Sequence, residues 1–158
     1  MTDRTFGELY EQRYGTPVPA DLDGPVAPGV ARILDRRVVR QLESTPIEPA
    51  LMAQLLACAQ SAPTKSDLQQ YSIVIVEDAA KREQILEWIP NMPFIAQAGT
   101  FLIFCGDIRR NRKLGDQRGH RHVNDNLDSF FNATVDGSLA MQSFILGAEA
   151  AGLACTPV

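Results

Sequence analysis

The stretch from about residue 125 to 151 constrains this chain more than any other. Leu127, Phe131, Val135, Leu139, Ile145 and Ala148 recur at helical spacing, and beyond Val135 almost every face is apolar or small. One long helix is expected, with little surface suited to water, so it must be buried in a core or across a subunit interface. Gly147 and the neighbouring alanines leave room for another backbone. Asp136 and Gln142 are polar among these residues, and the burial expected there predicts that they hydrogen-bond to neighbouring helices.

What precedes this helix supplies the layers around it. Thr2 and Asp3 are candidate caps for a short helix carrying Phe6, Leu9, Tyr10 and Tyr14, stopped by Gly15. Four prolines and two glycines between residues 16 and 29 predict an extended connector. This divides the chain into an N-terminal helix and connector, 1–29, and a main domain, 30–158. The aromatic stripe of the first helix must be buried by its own core or by a neighbouring subunit. Val30, Ile33 and Leu34 lie in a short turn or helix. Pro49 opens a helix through Gln60, with Met52, Leu55, Leu56 and Ala59 facing inward. A loop at 62–67 leads into a strand at 71–78. Asp78 then caps a helix to about Ile89, with Ile85 and Leu86 facing the core. A second strand at 100–105 is apolar enough to expect cover on both faces. GLACTPV, 152–158, reads as a cap glycine followed by the opening of a strand, which suggests a chain cut short of its natural terminus.

Length and charge narrow the functional classes. A chain of 158 residues suits one ordinary domain. Its formal net charge of -4 argues against general nucleic-acid binding, and no apolar run reaches the roughly 20 residues needed to span a bilayer. The first residues are charged and mixed, unlike a signal peptide. Cys58, Cys105 and Cys155 are odd in number and widely spaced, so they read as reduced, buried thiols of a cytoplasmic protein. Trp88, Met92 and the cysteines are expected in the core or a pocket wall. Residues 109–121 hold six Lys or Arg and one acid, a local +5. That run reads either as a solvated loop or as an attractor for a phosphate.

No Rossmann glycine fingerprint, P-loop, serine elbow or zinc set occurs, and His120 with His122 cannot close a metal site alone. No catalytic side chain and no metal ligand is assigned. The remaining charge cluster is RRVVR, 36–40. Three guanidiniums within five residues repel unless anions lie between them, and each offers a fork that matches phosphate. The alternative is a solvated helix end paired with Glu43 or Asp35.

RRVVR, then PIEPALMAQLLACAQSAPTKSDLQQYSIVIVED, AQAGTFLIFCGD and VDGSLAMQSFILGAEAAGLACTPV resemble, in this order, the nitroreductase family of FMN enzymes. The similarity runs from about residue 32 to the end and looks closest to the oxygen-insensitive NADPH nitroreductases and flavin reductases. It implies an α+β fold, a central mixed sheet flanked by helices, in a homodimer with FMN at the subunit interface. By the same resemblance Arg36 and Arg37 contact the ribityl phosphate, and Arg40 approaches the pyrimidine edge of the flavin. A fixed cation there would favour the reduced, anionic ring. Val38 replaces the family's serine and removes a hydroxyl. Pro63, Thr64, Lys65, Ser66 and Asp67 form the loop that reaches FMN from the other subunit, with Asp67 in place of an asparagine. Pro157 lies under the ring, and the backbone around Val158 leads to the donor for flavin N5.

The activity implied is a ping-pong transfer of electrons from NAD(P)H to a small-molecule acceptor: a nitroaromatic, a quinone or a flavin. No nucleic-acid or membrane partner is expected. Two alternatives stand beside it. One is a non-catalytic flavin-binding, storage or interaction member of the same fold. The other is an arginine module for a phosphorylated partner.

Overall fold

A computed structural model describes residues 4–121, 123 and 125–158. Thr2, Asp3 and His122, named above, lie outside the described residues. The chain forms two compact units, Met1–Val39 with Ala148–Val158 and Arg40–Gly147.

In the first unit, helix α1 spans Phe6–Tyr14. Its cap is Thr5: the Thr5 hydroxyl accepts the Glu8 N–H at 3.3 Å, while the Glu8 carboxylate accepts the Thr5 N–H at 2.8 Å. This reciprocal pair satisfies two amides that the helix start leaves free. Gly15, at φ 73°, ends the helix in the left-handed conformation. The connector folds back on this helix. Asp23 accepts the amides of Gly7 at 2.7 Å and Gly24 at 2.8 Å, and the Gly7 bond in particular holds its carboxyl below the usual range. Helix α2, Pro28–Asp35, packs on α1 and opens on a proline where the missing N–H costs least. Leu9 and Ala31 are buried in the seam. Phe6, Tyr10 and Tyr14 stack in turn, with ring centroids 5.6 and 4.6 Å apart, so the stripe closes largely on itself and Tyr14 stays exposed.

The second unit begins with helix α3, Pro49–Gln60, which has the expected bounds and buries Met52, Leu55 and Ala59. Strand β1, Tyr71–Ile75, pairs antiparallel with strand β2, Leu102–Gly106, in the register Tyr71 to Gly106 and Ile75 to Leu102. Helix α4, Ala79–Glu87, is capped by Asp78, which accepts the amides of Ala80 and Lys81. Helix α5, Arg109–Gln117, replaces the loop expected over the basic run. Helix α6, Leu127–Ala150, is the long helix, and its last residues belong to the first unit.

Small residues set how close α6 comes to its neighbours. Gly137 and Ala133 lie against Cys105 and Gly106 of β2, and Phe104 meets Phe144 edge-on at 5.6 Å. A Cβ on Gly147 would approach the Cys58 sulfur to 2.9 Å, so this glycine seats α3 on α6.

Several expectations change. The fold is α+β, but the sheet among the described residues is an antiparallel pair, where a central mixed sheet was expected. The C-terminal stretch forms no strand there; its Cys155 carbonyl accepts from Arg36 and its Thr156 hydroxyl donates to the Val39 carbonyl. Strand β2, for which cover on both faces was expected, is half-buried along Leu102–Cys105, whereas Val74 and Ile75 of β1 are exposed. Trp88 is 78% exposed rather than in the core. The three cysteines are free and half-buried. Helix α6 is not enclosed by the core of one chain, which is one of the two covers expected for it. Leu127, Phe130, Phe131, Val135 and Leu139 are exposed, and Gln142 lies exposed rather than bonded inside. Among the described residues no helix is long and apolar enough to cross a membrane.

Candidate functional site

The arginine run leaves the C-terminal end of α2. A helix end presents carbonyls without partners and a partial negative charge, and both attract guanidinium groups. Arg13, from α1, donates to the carbonyls of Leu34 at 3.2 Å and Arg36 at 2.8 Å. Arg37 donates to the same two carbonyls at 3.0 and 2.9 Å. Each uses one terminal nitrogen and leaves the rest of its fork for another partner. Arg13, Tyr14, Arg36, Arg37 and Val38 line an open groove of about 330 Å³.

Arg36 is held differently. Its Nη2 donates to the Cys155 carbonyl at 3.1 Å, and its Nε lies 2.8 Å from Glu149 Oε1. The Nε–H does not point at that oxygen, so the pair is a charge contact rather than a hydrogen bond, and Glu149 Oε2 has no donor. Asp35, offered above as a partner for the cluster, pairs with Arg4 at 3.0 Å instead. The partner found, Glu149, is more than a hundred residues away, so spacing could not reveal it. Beside Arg36, Thr156 donates to the Val39 carbonyl at 2.6 Å. Burial and the Glu149 charge push the Cys155 thiol above its ordinary pKa, burial being the larger cause.

One unit therefore gathers Arg36, Arg37 and Val38 with the segment that carries Pro157 and Val158, both exposed. Arg40 is exposed and belongs to the other unit, as do Pro63, Thr64, Lys65, Ser66 and Asp67.

That loop has unusual backbone geometry. Ser66, Asp67 and Gln69 adopt φ values of 52°, 54° and 48°, although none is glycine. Its anchor is Asp136 of α6, whose carboxylate is fully buried and accepts the amides of Lys65 at 2.9 Å and Gln70 at 3.1 Å. A cross-helix bond was expected from Asp136; the structure bonds it to the loop backbone instead. From α5, Arg110 donates to the Gln69 carbonyl and Asn111 to that of Leu68 at 3.3 Å. Lys65, Ser66 and Asp67 are left exposed.

A second open groove, of about 370 Å³, lies along α5 between Ser72, Asp107, Arg109, Arg110 and Lys113. Asp107 accepts the Ser72 hydroxyl at 2.6 Å and the Arg109 amide at 2.8 Å; the hydroxyl is the main reason its carboxyl sits below the usual range.

A sequence model of the Nitroreductase family matches residues 33–158. An FMN reductase (NADPH) of Bacillus subtilis is 30% identical over 127 residues, covering 78% of this chain and 51% of that protein. An oxygen-insensitive NADPH nitroreductase of Salmonella typhimurium is 26% identical over 130 residues, covering 81% and 52%. Among solved structures, the nitroreductase NfrA1 of Bacillus subtilis superposes with a TM-score of 0.74 at 29% identity, covering 80% of this chain and 52% of that one. The chain thus spans about half the length of the relatives it matches.

Proposed function

Because this chain belongs to the nitroreductase family, we propose that it forms the FMN-binding part of a homodimeric, cytoplasmic NAD(P)H oxidoreductase. The observation that carries the reading is the groove in which Arg13, Arg36 and Arg37 converge beside the Cys155–Val158 segment. Its donor chemistry fits a phosphate monoester, because guanidinium forks already fixed by backbone carbonyls can turn their remaining N–H groups outward. Val38 is the poorer fit, since it offers no hydroxyl.

In this reading Arg36 and Arg37 hold the phosphate, and Arg40 places positive charge at the pyrimidine edge. Pro63, Thr64, Lys65, Ser66 and Asp67 approach from the other protomer, and Pro157 and Val158 border the ring. Thr64 and Ser66 supply hydroxyl donors. The Asp67 carboxylate opposes Arg40 by disfavouring negative charge on the ring. Bound FMN would supply the redox chemistry, in a ping-pong exchange between NAD(P)H and a nitroaromatic, quinone or flavin acceptor. The chain's own residues supply orientation and charge. Support for the dimer comes from the exposed apolar stripe of α6, Leu127, Phe131, Val135 and Leu139, which repeats every fourth residue and so lies along one face.

A second reading, flavin binding without catalysis, draws support from Val38, Asp67 and the engagement of Arg36 by Glu149. One experiment separates them. The purified chain, incubated with FMN and freed of excess, should remain yellow and bleach when NADPH is added anaerobically. Yellow protein that NADPH does not bleach favours the storage reading, and failure to retain FMN refutes both.

A further inference from the structure

We infer that Asp136 is a positioning residue for the flavin-facing loop, holding Thr64–Asp67 in a conformation the loop would not keep unaided; the inference rests on the proposed function. A non-glycine residue with positive φ is uncommon, and such conformations persist only where the surroundings impose them. Here three of four consecutive positions, Ser66, Asp67 and Gln69, are left-handed. Nothing in the sequence asks for this, since serine and glutamine at those positions gain little from it.

Asp136 closes the loop from below. One oxygen takes the Lys65 amide near the loop's start, and the other takes the Gln70 amide at its end. A carboxylate suits the task because it is acceptor-only and can receive both amides from one side chain. Arg110 and Asn111 fasten the Gln69 and Leu68 carbonyls from the outer side. The backbone is thereby fixed while Lys65, Ser66 and Asp67 stay exposed for contact with a ligand. A fully buried carboxylate is costly. Its placement is explained if the loop geometry it enforces is what binds.

The test uses the full chain. Asp136→Asn keeps the shape but turns a donor toward one of the two amides. Amide hydrogen exchange over residues 64–70, measured without FMN, should accelerate at least tenfold. The FMN dissociation constant, from flavin fluorescence quenching, should rise about tenfold. Ser138→Ala, on the exposed face of the same helix, should change neither.

A second pair removes dependence on the helix. Gln69→Val disfavours positive φ at a residue with no assigned flavin contact and should weaken FMN binding. Gln69→Gly accepts that φ and should leave binding intact. Faster exchange in Asp136→Asn with unchanged FMN affinity would overturn the inference, as would equal affinities for the two Gln69 variants. If Asp136→Asn does not fold, the Gln69 pair decides alone. A parent chain that takes up no FMN sinks the proposed function itself, whereas a binding parent with insensitive variants sinks this inference only.

Discussion

Glu149→Gln separates what the Arg36 contact does for stability from what it does to the groove. The two charged groups lie 2.8 Å apart with side chains only 21% and 13% exposed. At an effective dielectric near 20, opposite charges at that distance attract by about 6 kcal/mol before desolvation and side-chain ordering are subtracted. Breaking a fully buried pair costs about 3–5 kcal/mol. Here residual exposure, the off-line Nε–H and the retained Cys155 carbonyl bond bring the expected loss to about 1–2 kcal/mol. For a chain of this size that lowers Tm by roughly 3–6 °C. Affinity should move the other way. With the carboxylate neutralised, Arg36 no longer shares its charge, so inorganic phosphate and FMN should bind severalfold more tightly. Thermal unfolding with and without FMN reads both effects. A variant with an unchanged Tm, or with weaker FMN binding, would refute the reasoning that Glu149 competes with the phosphate for Arg36.

Other perturbations test separate parts of the molecule. Ser72→Ala removes the main bond that depresses the Asp107 carboxyl, so its titration by NMR should move up toward the ordinary range. The stability this carboxylate contributes is present above the ordinary carboxylate range and lost as pH falls through its depressed pKa, and the variant should lose part of it. The Cys155 thiol is raised, so its contribution has the opposite sense, present below the ordinary thiol pKa and lost as pH rises past it. Glu149→Gln should lower that pKa and speed alkylation of Cys155 at pH 8, followed by mass spectrometry. Gly99→Ala sets a methyl group on the Thr45 carbonyl, while Gly99 N–H is tied to the Glu43 carbonyl at 2.8 Å. A loss of about 2–3 kcal/mol in urea unfolding is expected. Val135→Glu, on the exposed stripe of α6, should turn a dimer into a monomer in light scattering without loss of helix content; a dimer that persists would remove that face from the interface.

Local chemistry made much of the secondary structure legible. Pro49 and the spacing of Met52, Leu55 and Ala59 define α3 because a proline start and a 3.6-residue period need no distant partner. The cap at Asp78 and the glycine ends of α1 and α6 follow in the same way: Gly152, at φ 83°, ends α6 as its position suggests. Thr5 and Glu8 stand at the capping-box spacing, so this cap too was legible in the sequence, although the expectation fell on Thr2 and Asp3. The basic run became helix α5 although its net charge suggested a loop. The helix is held at Asp107, which bonds the Arg109 amide, and by Arg110 and Asn111 on the 68–69 backbone.

The sequence alone determined the bounds of α3, the Asp78 cap of α4 and the glycine ends of α1 and α6, together with which residues carry the arginine cluster and the family to which the chain belongs. These properties depend on neighbours a few positions apart or on the order of segments. Tertiary structure alone decided that Arg36 meets Glu149, that Asp136 bonds the loop at both ends, and that Ser66, Asp67 and Gln69 are left-handed. Each of these involves groups brought together across large sequence separations, or a backbone state imposed by such groups. A chain read residue by residue does not contain the distances on which hydrogen bonding and charge pairing depend.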